Sequence, residues 1–275
     1  MAAASPVSSP TFCLAGRVAI VTGSSRGIGS AIALHLAELG AKIVVNYSTN
    51  SVEADKVAMA ITTNLPKNHD SEDVAGKSPR VIVVKADISD PNQVKSLFDE
   101  AERVFDSPVH ILVNSAAIAD PDHSTISDTS VELFDRIISV NTRGAFLCAR
   151  EAANRLKRGG GGRIILLSTS LVQSLNPHYG SYTASKGAVE VMAKILAKEL
   201  KGTDITVNCV SPGPVATDMF FTGLSNDIVE KVKSQNLFGR IGETKDIAPV
   251  VGFLASDAGE WINGQVIIAN GGSLL

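Results

Sequence analysis

The chain has 275 residues, 44% of them hydrophobic and 5% aromatic, and a net charge of −3 at pH 7. This length suits one large α/β domain built on small aliphatic side chains, and the charge gives no electrostatic case for nucleic acid or an anionic membrane surface. No stretch is long and apolar enough to cross a bilayer, and the three cysteines (Cys13, Cys148, Cys209) are widely spaced, as expected of thiols in a reducing compartment.

Residues 1–13, rich in Ala, Ser and Pro, are expected to be a flexible tail ahead of a single domain over 14–275. Val18–Thr22 is a short β-branched run, read as a buried strand. Gly23-Ser24-Ser25-Arg26-Gly27-Ile28-Gly29 follows at once, and a helical pattern opens from it over about 27–39. Strand, glycine-rich turn and helix form the arrangement that binds a dinucleotide. The glycines let backbone approach the pyrophosphate, and N–H groups at the helix start bind its charge. Gly23, Ser25, Arg26, Gly27, Ile28 and Gly29 are therefore candidate cofactor contacts.

A second strand, about 42–47, ends on Asn46-Tyr47-Ser48. NAD-binding folds place an acid there for the ribose 2′-OH. Here no carboxylate repels a 2′-phosphate, and the Arg26 guanidinium is placed to meet adenine and phosphate. NADP(H) is the expected cofactor, with Asn46, Tyr47 and Ser48 near its ribose.

A helix over 52–64 precedes residues 65–80, polar and without periodicity, read as a mobile surface insertion. Next come a strand at 81–86 ending in Asp87-Ile88, a helix at 92–106, and a strand at 109–113 leading to Asn114-Ser115-Ala116-Ala117. A long helix, 131–158, carries Asn141 and stops at four glycines; a strand at 163–168 ends on Ser168. The helix at 179–201 and strand at 204–210 follow. Ser211-Pro212-Gly213-Pro214-Val215-Ala216-Thr217 then forms a fixed turn, followed by an apolar lid loop from Asp218 to Leu224. Helices at 226–236 and 245–256 and a strand at 265–269 complete the chain. Strands alternating with helices imply a parallel sheet covered on both faces, a doubly wound α/β fold.

Tyr182 and Lys186 stand four residues apart, about one helical turn, so phenol and ammonium project from one helix face. An ammonium beside a phenol favours the phenolate and is expected to draw its pKa towards working range. Ser168, fourteen residues before the tyrosine, supplies a hydroxyl for a carbonyl or alcohol oxygen. The three together read as proton transfer at a C–O group. Tyr179 has Thr183 as its fourth neighbour, so it is expected to line the pocket with Ser170, Met219 and Phe220. No His/Cys/Asp cluster has metal spacing, and no metal is expected.

Thr22-Gly-x-x-x-Gly-x-Gly29, Asn114-Ser115-Ala116-Ala117, Asn141, Ser168, Tyr182-x-x-x-Lys186 and Ser211-Pro212-Gly213 occur in the order and approximate spacing of the short-chain dehydrogenase/reductase family, over 16–272. The chain resembles that family, and more narrowly its plant NADPH-dependent aldehyde reductases. One departure is Ser115-Ala116-Ala117, where relatives have Asn-Ala-Gly or Ala-Ala-Gly. The resemblance implies a single Rossmann-like domain with seven parallel strands in the order 3-2-1-4-5-6-7. It also implies Asn141 as the holder of a water, Asp87 and Ile88 near adenine, and Asn114, Ala116, Lys186, Pro212, Gly213, Val215 and Thr217 around the nicotinamide half of the cofactor. Assembly as a homodimer or homotetramer follows from the same resemblance.

The expected reaction is reduction of an aldehyde or ketone, a small-molecule carbonyl substrate, with Tyr182 as general acid/base. A 3-oxoacyl-acyl-carrier-protein reductase shares every motif, and Arg136, Arg143, Arg150, Arg155, Lys157 and Arg158 could form a surface for an acidic carrier. An NADPH-binding regulator without turnover is a third reading, opposed by the intact Asn141, Ser168, Tyr182 and Lys186. The expected location is cytoplasmic, with the chloroplast as the alternative.

Overall fold

The computed structural model describes residues 12–64 and 79–275. The expected tail and insertion fall almost wholly outside these residues. Seven strands, β1 (Val18–Thr22), β2 (Lys42–Tyr47), β3 (Val81–Lys85), β4 (Ile111–Asn114), β5 (Arg163–Leu167), β6 (Thr206–Pro212) and β7 (Val266–Ala269), form one sheet in the order β3-β2-β1-β4-β5-β6-β7. Every neighbouring pair is parallel. The chain is thus a Rossmann-like doubly wound domain, as read from the alternation of its elements.

Two-residue periodicity divides the strand side chains between two cores. Val18, Ile20, Leu112, Ile164, Leu166, Val207 and Cys209 join one core, with Leu97 and Phe98 of α3 (Pro91–Phe105), Cys148 of α5 (Gly144–Arg155) and Val189 of α7 (Gly180–Glu199). Ala19, Val21, Ile111, Val113, Ile165 and Leu167 face the other, against α1 (Gly27–Glu38), α2 (Ser51–Asn64) and α10 (Thr244–Ala255). Both inner faces are apolar because helices cover both. Cys148 and Cys209 are buried thiols of the first core, and no described cysteine is in a disulfide.

α3 shows how local sequence sets an element. Pro91 opens it, the Asp90 carboxylate caps the N–H groups of Asn92 and Gln93, and Val94, Leu97, Phe98, Ala101 and Phe105 make its buried stripe.

The expected long helix is continuous but not uniform. It runs as α4 (Val131–Ile137), a π-helical segment (Ile138–Arg143) and α5, ending at Arg155. β6 starts later than expected and extends through Ser211 and Pro212. Pro212 has no N–H to give, but its carbonyl accepts the Ser170 N–H at 2.8 Å. The apolar segment from Asp218 to Leu224, expected as a loop, contains a short helix, α8 (Asp218–Phe221), followed by α9 (Asn226–Gln235), and a further short helix, α6 (Leu171–Ser174), follows β5. No helix of the described residues is long and apolar enough to cross a membrane.

Candidate active site

Strand order reverses at β1, which pairs with β2 on one side and β4 on the other. Crevices at such points, beyond the carboxyl ends of the strands, accept ligands. Thr22 ties the two central ends together. Its hydroxyl donates to Asn114 Oδ1 (3.1 Å) and accepts the N–H groups of Ser115 (3.1 Å) and Ala116 (3.2 Å).

The three loop glycines do different work. Gly23 has φ +62°, and a Cβ there would lie 2.6 Å from Ala116 Cα. A Cβ on Gly29 would lie 2.5 Å from Gly23 O. Both are demanded by the loop's packing on itself and on the β4 turn. Gly27 (φ +60°) is open: the nearest atom to a Cβ would be Thr217 Cγ2 at 3.5 Å. The Ser30 N–H makes a helical bond to Arg26 O, so the N–H groups of Gly27, Ile28 and Gly29 precede it, and α1 has no acid in its first turn. Such an opening fits an anionic pyrophosphate.

Asn46 serves this loop from beneath. It is buried, accepts the Gly23 N–H at Oδ1 (3.1 Å), and donates from Nδ2 to Ala86 O (3.1 Å). Its amide is therefore engaged by backbone and not turned to a ribose, whereas Tyr47 is half-buried and Ser48 exposed at the end of β2. Arg26 is exposed, 3.9 Å from the exposed Asp218 carboxylate; so open a pair contributes at most about 1 kcal/mol. Asp87 is exposed, and its Oδ1 accepts from the Ser89 N–H (2.9 Å) and hydroxyl (2.8 Å). Ile88 is a core side chain, against which a Cβ on Gly144 would lie 2.7 Å from Cδ1.

On the catalytic side, α7 carries Tyr182 and Lys186 on one face, with Lys186 Nζ 5.9 Å from the Tyr182 ring centroid. The buried ammonium donates to Leu167 O, at the end of β5, at 2.7 Å. Burial lowers the Lys186 pKa to about 8 and raises that of Tyr182 to about 12. The expected depression of the phenol is not met: desolvation of the phenolate raises its pKa.

The π segment explains Asn141. Fully buried, it accepts the Ile118 N–H (2.9 Å) and donates to Ile118 O (2.9 Å) and Ser185 Oγ (3.0 Å). Ser185 in turn donates to Tyr182 O at 2.6 Å. One side chain thus locks the turn after β4 to the catalytic helix, as π-bulges at functional sites commonly do. Ser185 was missed from sequence, although it lies inside the Tyr182-to-Lys186 span.

Ser168 is buried and donates to Glu190 Oε1 at 2.6 Å. Glu190, one turn beyond Lys186, was also missed; its signal is an acidic residue on the buried face of α7. Ser170 starts α6 without a side-chain cap bond.

A cavity beside Tyr182 is lined by Asp120, Ser124, Thr129, His178 and Tyr179. Tyr179 is part of this lining, whereas Met219 and Phe220 are not. They sit on α8, where Thr217 caps the Phe220 N–H (3.3 Å) and donates to Val215 O (3.3 Å). Gly213 packs on Asn270, a Cβ there falling 2.7 Å from Asn270 Cβ. The segment after α8 is pinned to the β4 side: His123 Nε2 is 3.0 Å from Thr222 O, and His178 Nδ1 is 3.0 Å from His123 O. Among the described residues no three His, Cys, Asp or Glu side chains gather as for a metal.

A family model described as enoyl-(acyl carrier protein) reductase matches residues 23–273. NADPH-dependent aldehyde reductase 2, chloroplastic, of Arabidopsis thaliana is 87% identical over 275 residues, covering 100% of both chains. The chain belongs to the short-chain dehydrogenase/reductase family. An NADPH-dependent aldehyde reductase-like protein, chloroplastic, of the same plant is 62% identical over 272 residues, 99% of each chain. Among solved structures, the angucycline C-6 ketoreductase LanV with bound NADP has 33% identity and a TM-score of 0.82, covering 95% of this chain and 96% of that one. The short-chain dehydrogenase/reductase frame gives the Tyr182–Lys186 pair and the glycine cradle a common setting at the carboxyl edge of the sheet.

Proposed function

We propose that this protein reduces an aldehyde or ketone to the alcohol, with Tyr182 delivering the proton. The observation that carries this reading is the Tyr182–Lys186 pair on one face of α7, with Lys186 buried against the end of β5, at the same sheet edge as the glycine cradle. It is an oxidoreductase whose cofactor is NADP(H). The open Gly27 cradle, the helix-start N–H groups and a β2 end without a carboxylate all suit it. When bound, the cofactor supplies the hydride.

The chain's own groups manage the proton. A phenol whose pKa is pushed up to about 12 stays protonated at neutral pH, the form needed to quench an alkoxide. Lys186, with a pKa of about 8, is largely ammonium there, and its charge 5.9 Å from the Tyr182 ring centroid favours the phenolate left once the proton is given. Asn141 holds the surrounding backbone still, and Asn46 holds the glycine loop. A hydroxyl from the turn after β5 meets the substrate oxygen.

A second reading has a specific observation in its favour. The matching family model is described as an enoyl-(acyl carrier protein) reductase, which favours a carrier-linked acyl substrate, and the 3-oxoacyl thioester is the carbonyl form of it that this site would reduce. Of the basic residues that would form the docking surface, Arg155 is taken up by Asp99, Glu102 and Glu151. A panel of aldehydes, ketones and an acetoacetyl thioester, followed by NADPH absorbance with Tyr182→Phe as control, separates the two. The higher kcat/KM identifies the substrate class, and turnover surviving in the variant would overturn both.

Chloroplast residence is better supported than cytoplasmic, since two relatives bear that address in their names. Exposed apolar side chains on α5 and α7 (Phe146, Val191, Ile195) support a homodimer or homotetramer, to be checked by light scattering.

A further inference from the structure

Asp120 is the carboxylate in the lining of the cavity beside Tyr182. Its place is fixed from both sides. Two residues ahead, Asn141 accepts the Ile118 N–H and donates to the Ile118 carbonyl, both at 2.9 Å. The carboxylate itself accepts the Asp122 N–H at Oδ1 (2.9 Å) and the Ser124 N–H at Oδ2 (2.8 Å). A carboxylate offers about four acceptor positions, so about two remain for a ligand. Partial burial opposes ionisation, but those N–H groups and the Ser124 hydroxyl outweigh it and hold the carboxyl below the ordinary carboxylate range. Asp120 is therefore an anion at neutral pH.

The chain around it adds charge of the same sign. Residues 115–135, from the end of β4 into α4, contain Asp120, Asp122, Asp128, Glu132 and Asp135 and no lysine or arginine. Residues 169–185, which supply the other wall, carry no lysine, arginine or acid. The Lys186 ammonium is enclosed and donates to Leu167 O. Both nearby histidines give a ring proton to a carbonyl: His123 Nε2 to Thr222 O and His178 Nδ1 to His123 O, each at 3.0 Å. The pocket wall is thus rich in acceptors and negative.

Such a wall sorts substrates by what they carry beside the carbonyl. A hydroxyl can donate to the open positions of Asp120. A carboxylate brings only acceptors and meets like charge.

We propose that Asp120 is a specificity-determining residue, selecting neutral carbonyl compounds that bear a hydroxyl near the reacting group and excluding those that bear a carboxylate there. This rests on the carbonyl-reduction reading, so the test has one arm that needs no turnover. In the kinetic arm, benzaldehydes with a hydroxymethyl or a carboxylate group at the 3 or 4 position are compared. Wild type should favour the hydroxymethyl compound at least about 30-fold in kcat/KM at the better position. Asp120→Asn and Asp120→Ser, which remove the charge and keep an acceptor for the turn, should shrink that ratio at least about tenfold. In the binding arm, the NADPH-loaded protein is titrated calorimetrically with benzenedimethanol and (hydroxymethyl)benzoate, alcohols that NADPH cannot reduce. The ratio of their Kd values should shift in the same direction in both variants. A shifted binding ratio without reduction of any aldehyde would sink the reduction reading and leave Asp120 its role. Reduction with a wild-type ratio near one, or with a ratio that both variants leave unchanged, would overturn the role of Asp120 alone. Absence of both binding and turnover would overturn both.

Discussion

Lys186 donates to Leu167 O at 2.7 Å from a fully enclosed position, so a cation is held in the core by one neutral carbonyl. Such a charge costs stability while serving chemistry. Its folded pKa of about 8 lies below the ordinary 10.5. Between those values the unfolded chain binds more protons than the folded one, so stability rises with pH across that window; below about 8 the cost is fully present. Lys186→Met should therefore melt higher than wild type at pH 7, with the gap narrowing from pH 8 upward, although NADPH turnover is lost. Differential scanning fluorimetry over that range checks the sign. A lower melting temperature at pH 7 would mean that the bond to Leu167 outweighs desolvation.

The glycine loop gives a contrast within three residues. Alanine at Gly29 would drive a methyl group into Gly23 O at 2.5 Å, against the backbone of Gly23 and Ser24. Overpacking of this kind costs about 1–3 kcal/mol, and the loop would shift. Gly29→Ala should lower the melting temperature and weaken NADPH binding at least tenfold. Gly27→Ala has space towards Thr217 but sits at φ +60° and fills the cradle. Its stability loss should be about 1 kcal/mol, with cofactor affinity the larger casualty. Calorimetric titration with NADPH beside urea unfolding distinguishes them, and equal profiles would contradict the division of roles.

Much of this was legible because it is local. The β-branched runs and the Tyr182–Lys186 spacing announce their elements within a few residues. What sequence hid depends on contacts across the fold. The Asn46 side chain could be read as facing a ribose until Gly23 and Ala86 were found to occupy it. Ser168 and Glu190 are 22 positions apart and meet only because α7 packs on β5. The π segment has no sequence period of its own, and α8, with four residues, is too short to show one.

Cofactor choice at the end of β2 should be reversible. Tyr47 is half-buried there, and β2 carries no acid to bind a ribose 2′-OH or repel a 2′-phosphate. Tyr47→Asp should raise the Kd for NADPH at least tenfold and improve relative use of NADH. If Arg26 is a 2′-phosphate ligand, Arg26→Ala should weaken NADPH while leaving NADH nearly unchanged, because only the former carries that phosphate. Measured kcat/KM ratios for the two nucleotides decide this. If Arg26→Ala weakened both alike, Arg26 would be a loop residue and not a phosphate ligand.

The segment after α8 is held by two close contacts, and loosening them should be felt in substrate binding. Gly223 has φ +74°, and a Cβ on it would collide with Pro121 O, so the α8 side lies directly on the loop after β4. His123, itself at φ +51°, bridges to Thr222 O and packs edge-to-face with Tyr179, with centroids 5.1 Å apart. Tyr179 lines the cavity next to Tyr182, so the anchor of the segment after α8 and the pocket wall share a residue contact. Gly223→Ala should push the segment away and raise KM for the carbonyl substrate about tenfold, because a displaced lid no longer excludes water or orients substrate. His123→Ala, which removes the bridge without adding bulk, should move KM in the same direction by a smaller factor. NADPH affinity, set on the glycine-loop side, should stay within about threefold in both. Stopped-flow NADPH binding together with steady-state kinetics provides the comparison. A fall in kcat with KM unchanged would place the contact in the chemical step instead of in closure.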